Sequence, residues 1–292
     1  MKRLVILGGG ESGVGAALLG KLKEYNVFIS DSGKIANNYK DVLIHNEIEW
    51  EDGGHTESEI LTADLVVKSP GIPDNVSIVQ KLQYAMIPVV SEIEFAALHT
   101  TANIIGITGS NGKTTTTMMV YHILKQAGLD VAMAGNVGVS FAEQVLTETA
   151  NYVLELSSFQ LDGIKDFRPN IAIITNITPD HLDRYDNKFE NYIASKFRII
   201  MNQTSDDYLL YDSDDEVITS YIKCHQIQST LVPFSLSKIV TNGTYLEQNN
   251  IIIDFNNRDI IMPISNLALE GKHNVKNAMA AATVAHLLKI RK

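Results

Sequence analysis

One cysteine, Cys224, occurs in 292 residues, so no intramolecular disulfide can form. That economy suits a reducing compartment. Positive charge is also in deficit: 24 Lys and Arg stand against 34 Asp and Glu, a formal net charge of −10. A general nucleic-acid binder needs a basic face to replace counterions, so that class is excluded, whereas a local basic site for an anionic metabolite is not. Glycine (19) and proline (7) are too few for a long disordered stretch. Apolar runs are short. "MKRLVILGGG" breaks into glycines too early for a signal peptide, and no apolar stretch approaches the ~18 residues of a membrane helix. The expectation is a soluble, cytoplasmic protein of about two domains, with no membrane or nucleic-acid partner and a monomer as the default state.

What is present is an alternation of short apolar runs with helical periodicity, the pattern of parallel sheets with crossover helices. "RLVILG", "NVFISD", "LVVKSP" and "IPVVS" read as strands, with helices over 14–23 and 76–86. The pattern restarts near residue 100 with "NIIGITG", followed by "VAMAG", "YVLELS" and "IAIITNI". The predicted fold is α/β: a Rossmann-like parallel-sheet domain over 1–94, then a P-loop ATPase-like α/β domain over 95–292, the boundary lying in "EIEFAALHTT". Farther on, "YLLY", "TLVPFS" and "IIIDF" read as strands, and "TNGTYLEQNN" as a turn-rich connection with a hairpin turn at Asn242-Gly243. The alanine-rich "GKHNVKNAMAAATVAHLLKIRK" predicts a helix with a basic last turn and no glycine cap.

Two glycine loops carry the chemistry. Gly8, Gly10 and Gly13 spell G-x-G-x-x-G after the first strand, and Asp31 ends the second. Glycines there let backbone amides approach a diphosphate, and the acidic residue sits near the spacing that contacts a ribose. The second loop, "GITGSNGKTTTT", compresses the standard G-x-x-x-x-G-K-[ST] to G-x-x-G-K-T. Strand before and helix after still place backbone N–H groups around phosphate oxygens. Lys113 can neutralise β/γ-phosphate charge and Thr114 can offer a hydroxyl to Mg²⁺. A dehydrogenase has no use for this second loop. Beyond it, Glu155 ends a strand, where a carboxylate can hold Mg²⁺ or form an edge ion pair. "NITPDHLDRY" supplies Asp180, His181, Asp183 and Arg184, while Lys196 lies on a predicted helix where no spacing rule singles it out.

Together these segments resemble the Mur ligases, ATP-dependent amide-bond-forming enzymes of peptidoglycan precursor synthesis. The resemblance runs from residue 4 to the end, through "SPGIP", "SEIEF", "TGSNGKTTT", "GNVG", "ELSSFQL", "NITPDHLDRY", the lysine helix and "GKHNVKNAMAA" in order. "ELSSFQL" and "DHLDRY" point to the D-glutamate-adding type. The resemblance implies that Gly109, Ser110, Asn111, Gly112, Lys113, Thr114, Thr115 and Thr116 bind the ATP phosphates, with His273, Asn274 and Asn277 near ATP. It implies two Mg²⁺ ions, one on Thr114 and Glu155, the other on His181 and a carbamylated Lys196. Lys113, Glu155, His181 and Lys196 would then be the catalytic set. Gly10, Glu11, Ser12, Gly13, Val14, Gly15, Asp31, Ser32 and Gly71 would receive the uridine and diphosphate of UDP-N-acetylmuramoyl-L-alanine, joined by Asn136, Ser157 and His181. D-Glutamate would be the second substrate, held in the family by a third, C-terminal domain. The sequence stops just after the "HNVKN" helix, so the expectation is a shortened form lacking that domain, binding the UDP-sugar weakly and not ligating at a meaningful rate. Three rival readings stand beside this one: an NAD-dependent oxidoreductase built on the first loop, another Mur-type or folylpolyglutamate-synthase-like ligase, and a non-enzymatic protein that keeps a ligase core.

Overall fold

Runs of β-branched and aliphatic residues set the strands, and the glycine or polar residues that interrupt them set where the chain turns. The computed structural model describes residues 1–255, 260–267 and 270–290. It divides into two compact units: residues 1–101 with 134–148 and 159–167, and residues 102–133 with 149–158 and 168–292.

The first unit opens with β1 (Arg3–Leu7) and α1 (Glu11–Leu22), then β2 (Asn26–Asp31), α2 (Asn37–His45), β3 (Glu49–Asp52), α3 (Glu57–Ile60), β4 (Leu65–Lys68), α4 (Ser77–Tyr84), β5 (Val89–Ser91) and α5 (Glu92–Ala97). Its five strands lie parallel in the order β3-β2-β1-β4-β5. Val5, Leu7, Phe28, Val66, Val79 and Leu82 form its core, the central strands β1, β2 and β4 burying both faces as parallel sheets do, while the edge strand β3 has no buried residue. Strand β3 is absent from the sequence reading because "EWED" carries no apolar run. It is a strand by its pairing, with Phe28 opposite Glu49 and Asp31 opposite Asp52.

The second unit begins with β6 (Asn103–Thr108) and α6 (Lys113–Gln126), and β7 (Val131–Gly135) follows. The chain passes through α7 (Phe141–Gln144), which belongs to the first unit. Then come β8 (Asn151–Glu155), α8 (Ser158–Asp162), which from Phe159 on belongs to the first unit, β9 (Ile171–Ile174), α9 (Phe189–Phe197), β10 (Tyr208–Asp212), α10 (Glu216–Cys224) and β11 (Thr230–Ser235). Strands β12 (Gly243–Glu247), β13 (Asn250–Asp254) and β14 (Ile260–Pro263) precede the closing helix α11 (Lys272–Leu287). The nine-stranded sheet runs β14-β13-β12-β11-β10-β9-β6-β8-β7. Helices α6 and α11 pack side by side over it, with Val120, Leu124, Met279 and Val284 against Ile105, Val153 and Ile173.

The predicted α/β class is as read from sequence and the first sheet is parallel throughout, but the second is mixed, its β12–β13 and β13–β14 pairs being antiparallel, and the hairpin is displaced. Gly243 begins β12, which lies parallel to β11, so Asn242-Gly243 is not a hairpin turn. The turn lies between β12 and β13 at Gln248 and Asn249, both left-handed at φ 46° and 63°. The polar flanks hid a strand whose Tyr245 is fully buried and whose Thr244 hydroxyl meets that of Thr283 at 2.6 Å. The closing helix ends without glycine, Lys289 taking the left-handed position at φ 57°. Of its predicted basic tail, Arg291 and Lys292 lie outside the described residues. Among the described residues, no helix is long and apolar enough to cross a membrane.

Candidate functional site

In the first unit, the loop after β1 leads straight into α1, whose N-cap is Gly10; Glu11, Ser12, Gly13, Val14 and Gly15 form its opening turns. Gly13 is demanded by contact: a Cβ there would lie 1.9 Å from the Gly8 carbonyl oxygen. Asp31 closes β2, Ser32 follows it, and Gly71 sits in the turn after β4. These three strand ends are adjacent and parallel, so the predicted residues gather at the carboxyl edge of one sheet, where open α/β folds bind ligands. The Asp31 carboxylate is engaged there, accepting the Gly9 N–H and the Gly33 N–H, each at 2.7 Å. Asn136 follows β7 on the segment that belongs to this unit.

That segment, and the one at 159–167, are fastened by two carboxylates of α5. Glu92 accepts the Ala142 N–H at 2.5 Å. Glu94, 2% exposed, accepts the N–H groups of Lys165, Asp166 and Phe167 at 2.7, 2.9 and 2.9 Å. Burial, with the Glu11 charge adding to it, raises the Glu92 carboxyl to about 7, against the pull of the backbone donors. "SEIEF" flagged these residues only as part of a resemblance; paired acids at i and i+2 on an otherwise apolar helix were the available signal.

In the second unit the phosphate loop spans the end of β6 and the start of α6. Gly112 caps the helix at φ 82°, in the left-handed region that favours glycine, and a Cβ there would stand 2.8 Å from Asn277 Oδ1. So Asn277 of α11 lies against the loop. Its Nδ2 donates to Asn274 Oδ1 at 3.4 Å, and Asn274 Nδ2 donates to the Glu270 carbonyl at 2.8 Å. His273 is exposed on the same first turn, beside Gly271. Lys276 faces elsewhere, pairing with Asp212 at 2.5 Å at the end of β10.

Lys113 Nζ folds back to donate to the carbonyls of Gly109 and Ser110, each at 3.0 Å. Burial lowers its pKa, while the carboxylates of Glu155 and Asp180 act to hold the proton. Thr114 Oγ1 donates to Glu155 Oε2 at 2.7 Å, Glu155 being 2% exposed at the end of β8. Lys196 of α9, 1% exposed, donates to the same Gly109 carbonyl at 2.8 Å and lies 4.5 Å from the Tyr192 ring centroid. The structure therefore brings Lys113, Thr114, Glu155 and Lys196 to one loop. Thr115 follows on the helix, Thr116 is fully buried behind it, and Ser157 lies just past β8. His181 is left-handed at φ 49° with its side chain 55% exposed, and its Nε2 stands 3.5 Å from Asp180.

No group of three His, Cys, Asp or Glu side chains fit to hold a metal occurs among the described residues. Mg²⁺ does not need one: it keeps waters and typically takes one or two carboxylates together with substrate phosphates. The Thr114 hydroxyl and Glu155 carboxylate at a helix N-terminus are a hard-oxygen pair of that kind.

An α/β unit with a glycine loop at a helix N-terminus, following a Rossmann-like unit in the chain, defines a class, and comparison with known proteins gives its family. Residues 107–285 match the Mur ligase middle domain and residues 3–78 the MurD N-terminal domain, so the chain belongs to the Mur ligase family. It is 58% identical over 292 residues to the UDP-N-acetylmuramoylalanine--D-glutamate ligase of Christiangramia forsetii, and 50% identical over 297 aligned residues to that of Bacteroides fragilis. In both cases all of this chain aligns, and it spans 66% of the relative's length. Among solved structures, the UDP-N-acetylmuramate:L-alanyl-gamma-D-glutamyl-meso-diaminopimelate ligase of Neisseria meningitides superposes with a TM-score of 0.69 at 18% identity, covering 99% of this chain and 94% of that one. The UDP-N-acetylmuramate-alanine ligase of Thermotoga maritima gives 0.60 at 21%, covering 99% and 66%. These likenesses show the same fold.

Proposed function

We propose that this chain carries the UDP-substrate and ATP sites of an enzyme that joins D-glutamate to UDP-N-acetylmuramoyl-L-alanine, working in the cytoplasm. The observation that carries the reading is the convergence of Lys113, Thr114, Glu155 and Lys196 on one phosphate loop. The identity to D-glutamate ligases supports the choice of substrates.

In this reading the substrate's alanyl carboxylate attacks the γ-phosphorus of ATP, giving an acyl phosphate and ADP. The D-glutamate amine then attacks the acyl carbon, and phosphate leaves with the C–O bond. Lys113 would release its two loop carbonyls and swing its charge to the β/γ-phosphates, where negative charge grows during transfer. Mg²⁺ on Thr114 and Glu155 would offset phosphate charge. His181 and a carbamylated Lys196 would hold a second ion, the carbamate turning a buried cation into an oxygen donor. Gly10 to Gly15, Asp31, Ser32, Gly71 and Asn136 would receive the UDP moiety.

The nicotinamide reading leaves the second glycine loop, with Lys113, Thr114, Glu155 and Lys196 gathered on it, without a use. Calorimetric titration of the chain with Mg·ATP, UDP-N-acetylmuramoyl-L-alanine and NADH tests the proposal. Binding of the first two and not the third is expected; NADH binding with no response to ATP would overturn it.

A further inference from the structure

A loop two residues shorter than the usual phosphate loop has fewer groups of its own with which to hold its shape. Here the support comes from the chain just beyond β9. The Asn176 side chain grips both main-chain groups of Asn111: Oδ1 accepts the Asn111 N–H at 2.9 Å, and Nδ2 donates to the Asn111 carbonyl at 2.8 Å. Thr175 Oγ1 donates to that same carbonyl at 2.7 Å. The Ser110 N–H is taken by the Asn176 carbonyl at 2.9 Å, and the Thr178 N–H donates to Ser110 Oγ at 2.9 Å.

A trans peptide is planar, so its C=O and N–H point to opposite sides. Holding the Asn111 carbonyl toward Asn176 and Thr175 therefore turns the Gly112 N–H away from them. A flip of that peptide would break two hydrogen bonds at once. The N–H groups of Ser110 and Asn111 are already spent on Asn176, whereas those at the start of α6 have no intrahelical carbonyl to reach.

We infer that Asn176 is a positioning residue that fixes the Asn111–Gly112 peptide, so that phosphate is received by the amides of Gly112, Lys113 and Thr114 and not by those of Ser110 and Asn111. This rests on the ATP reading above, and deepens it by dividing the loop into a braced half and a receiving half. Asn176 itself touches no phosphate.

The test is amide hydrogen exchange on the full chain, without ligand and with Mg·ATP, alongside calorimetry. In the unsubstituted chain, Mg·ATP should slow exchange at Gly112–Thr114 by at least about tenfold and leave Ser110 and Asn111 unchanged. Asn176→Ala should speed exchange at Asn111 by about tenfold without ligand and weaken Mg·ATP binding by a similar factor, with UDP-substrate affinity and unfolding midpoint unmoved. Asn176→Asp, which keeps an acceptor for the Asn111 N–H but opposes its carbonyl with another oxygen, should keep Asn111 protected yet still weaken Mg·ATP. It also carries the test if the alanine variant does not fold. ATP affinities within twofold of the unsubstituted chain, equal protection of Ser110 and Asn111 by ATP, or loss of both ligands together would each overturn the inference. An unsubstituted chain that binds UDP-substrate but no Mg·ATP sinks the ATP reading instead, and exchange at Asn111 then decides the brace by itself.

Discussion

Glu94 receives the N–H of Phe167 at 2.9 Å across 73 residues of sequence, and the same carboxylate receives the N–H groups of Lys165 and Asp166. Three converging backbone donors satisfy both oxygens of this buried side chain. Nearby, the Ser91 N–H donates to the Gly163 carbonyl at 2.9 Å, and Ser91 Oγ accepts the Glu94 N–H as the cap of α5. The short strand-helix junction Val89–Ala97 thus collects chain from three places in the sequence into one unit.

Glu94→Ala should therefore cost far more than an ordinary polar truncation. It strands three backbone donors, one of them on the buried Phe167, and each donor left without a partner costs about 1–3 kcal/mol. A loss of at least about 3 kcal/mol of the first unit's stability is expected in urea unfolding. A change under about 1 kcal/mol would mean that water replaces the carboxylate without penalty.

Glu92 predicts a pH dependence of opposite sign to most carboxylates. Its folded value of about 7 lies above the unfolded value of 4.5, so the folded state binds the proton more tightly. The stability it lends is fully present below about pH 4.5 and is lost as pH rises through about 7, a swing of about 3 kcal/mol at 1.4 kcal/mol per pH unit. Glu92→Gln keeps an acceptor for Ala142 and carries no charge. Urea midpoints between pH 5 and 8 should fall for the unsubstituted chain relative to this variant. Parallel profiles would refute the assignment.

Much of this was legible in the sequence because parallel strands announce themselves: "RLVIL", "NIIGIT" and "IAII" are unbroken apolar runs, buried on both faces. The glycine loops were legible because their spacing is dictated by close backbone approach. What stayed hidden depends on partners distant in the chain. Strand β3 is polar and exists through its pairing with β2. Lys196 looks like a solvated helical charge until the fold sets it on the Gly109 carbonyl. Asn176 reads as the polar end of the strand "IAIITNI", and its contacts with Asn111 lie 65 positions away. Glu92 and Glu94 were visible as acids but not as anchors, since what they bind is backbone that carries no sequence signature.

Asp31 offers a test of what the first glycine loop holds. Its two oxygens hold the Gly9 and Gly33 amides, so the carboxylate shapes the loop from beneath. Asp31→Ala should weaken UDP-substrate binding by about 1–2 kcal/mol, five- to thirtyfold, through loss of loop geometry. Mg·ATP affinity should not change. Trp50, next to this edge on β3 with Lys40 4.7 Å from its ring centroid, supplies a fluorescence readout. Equal losses for both ligands would point to general unfolding.

Thr114 and Glu155 set the last prediction, on metal dependence. Their 2.7 Å hydrogen bond makes the hydroxyl the donor and Glu155 the acceptor, an arrangement a divalent ion would replace by drawing both oxygens to itself. ATP affinity of the unsubstituted chain should then fall at least about tenfold when EDTA removes Mg²⁺, because the ion offsets charge on both phosphate and carboxylate. Glu155→Gln removes the carboxylate charge while keeping an acceptor for Thr114. In that variant the gap between Mg²⁺ and EDTA should shrink to about threefold or less, and ATP without metal should bind slightly better, since a negative charge has left the loop. Lys113→Ala should behave differently, weakening ATP about equally with and without metal, because the ammonium acts on phosphate directly. Titration of the three proteins with and without EDTA separates the two roles. A metal gap unchanged by Glu155→Gln would remove Glu155 from the ion.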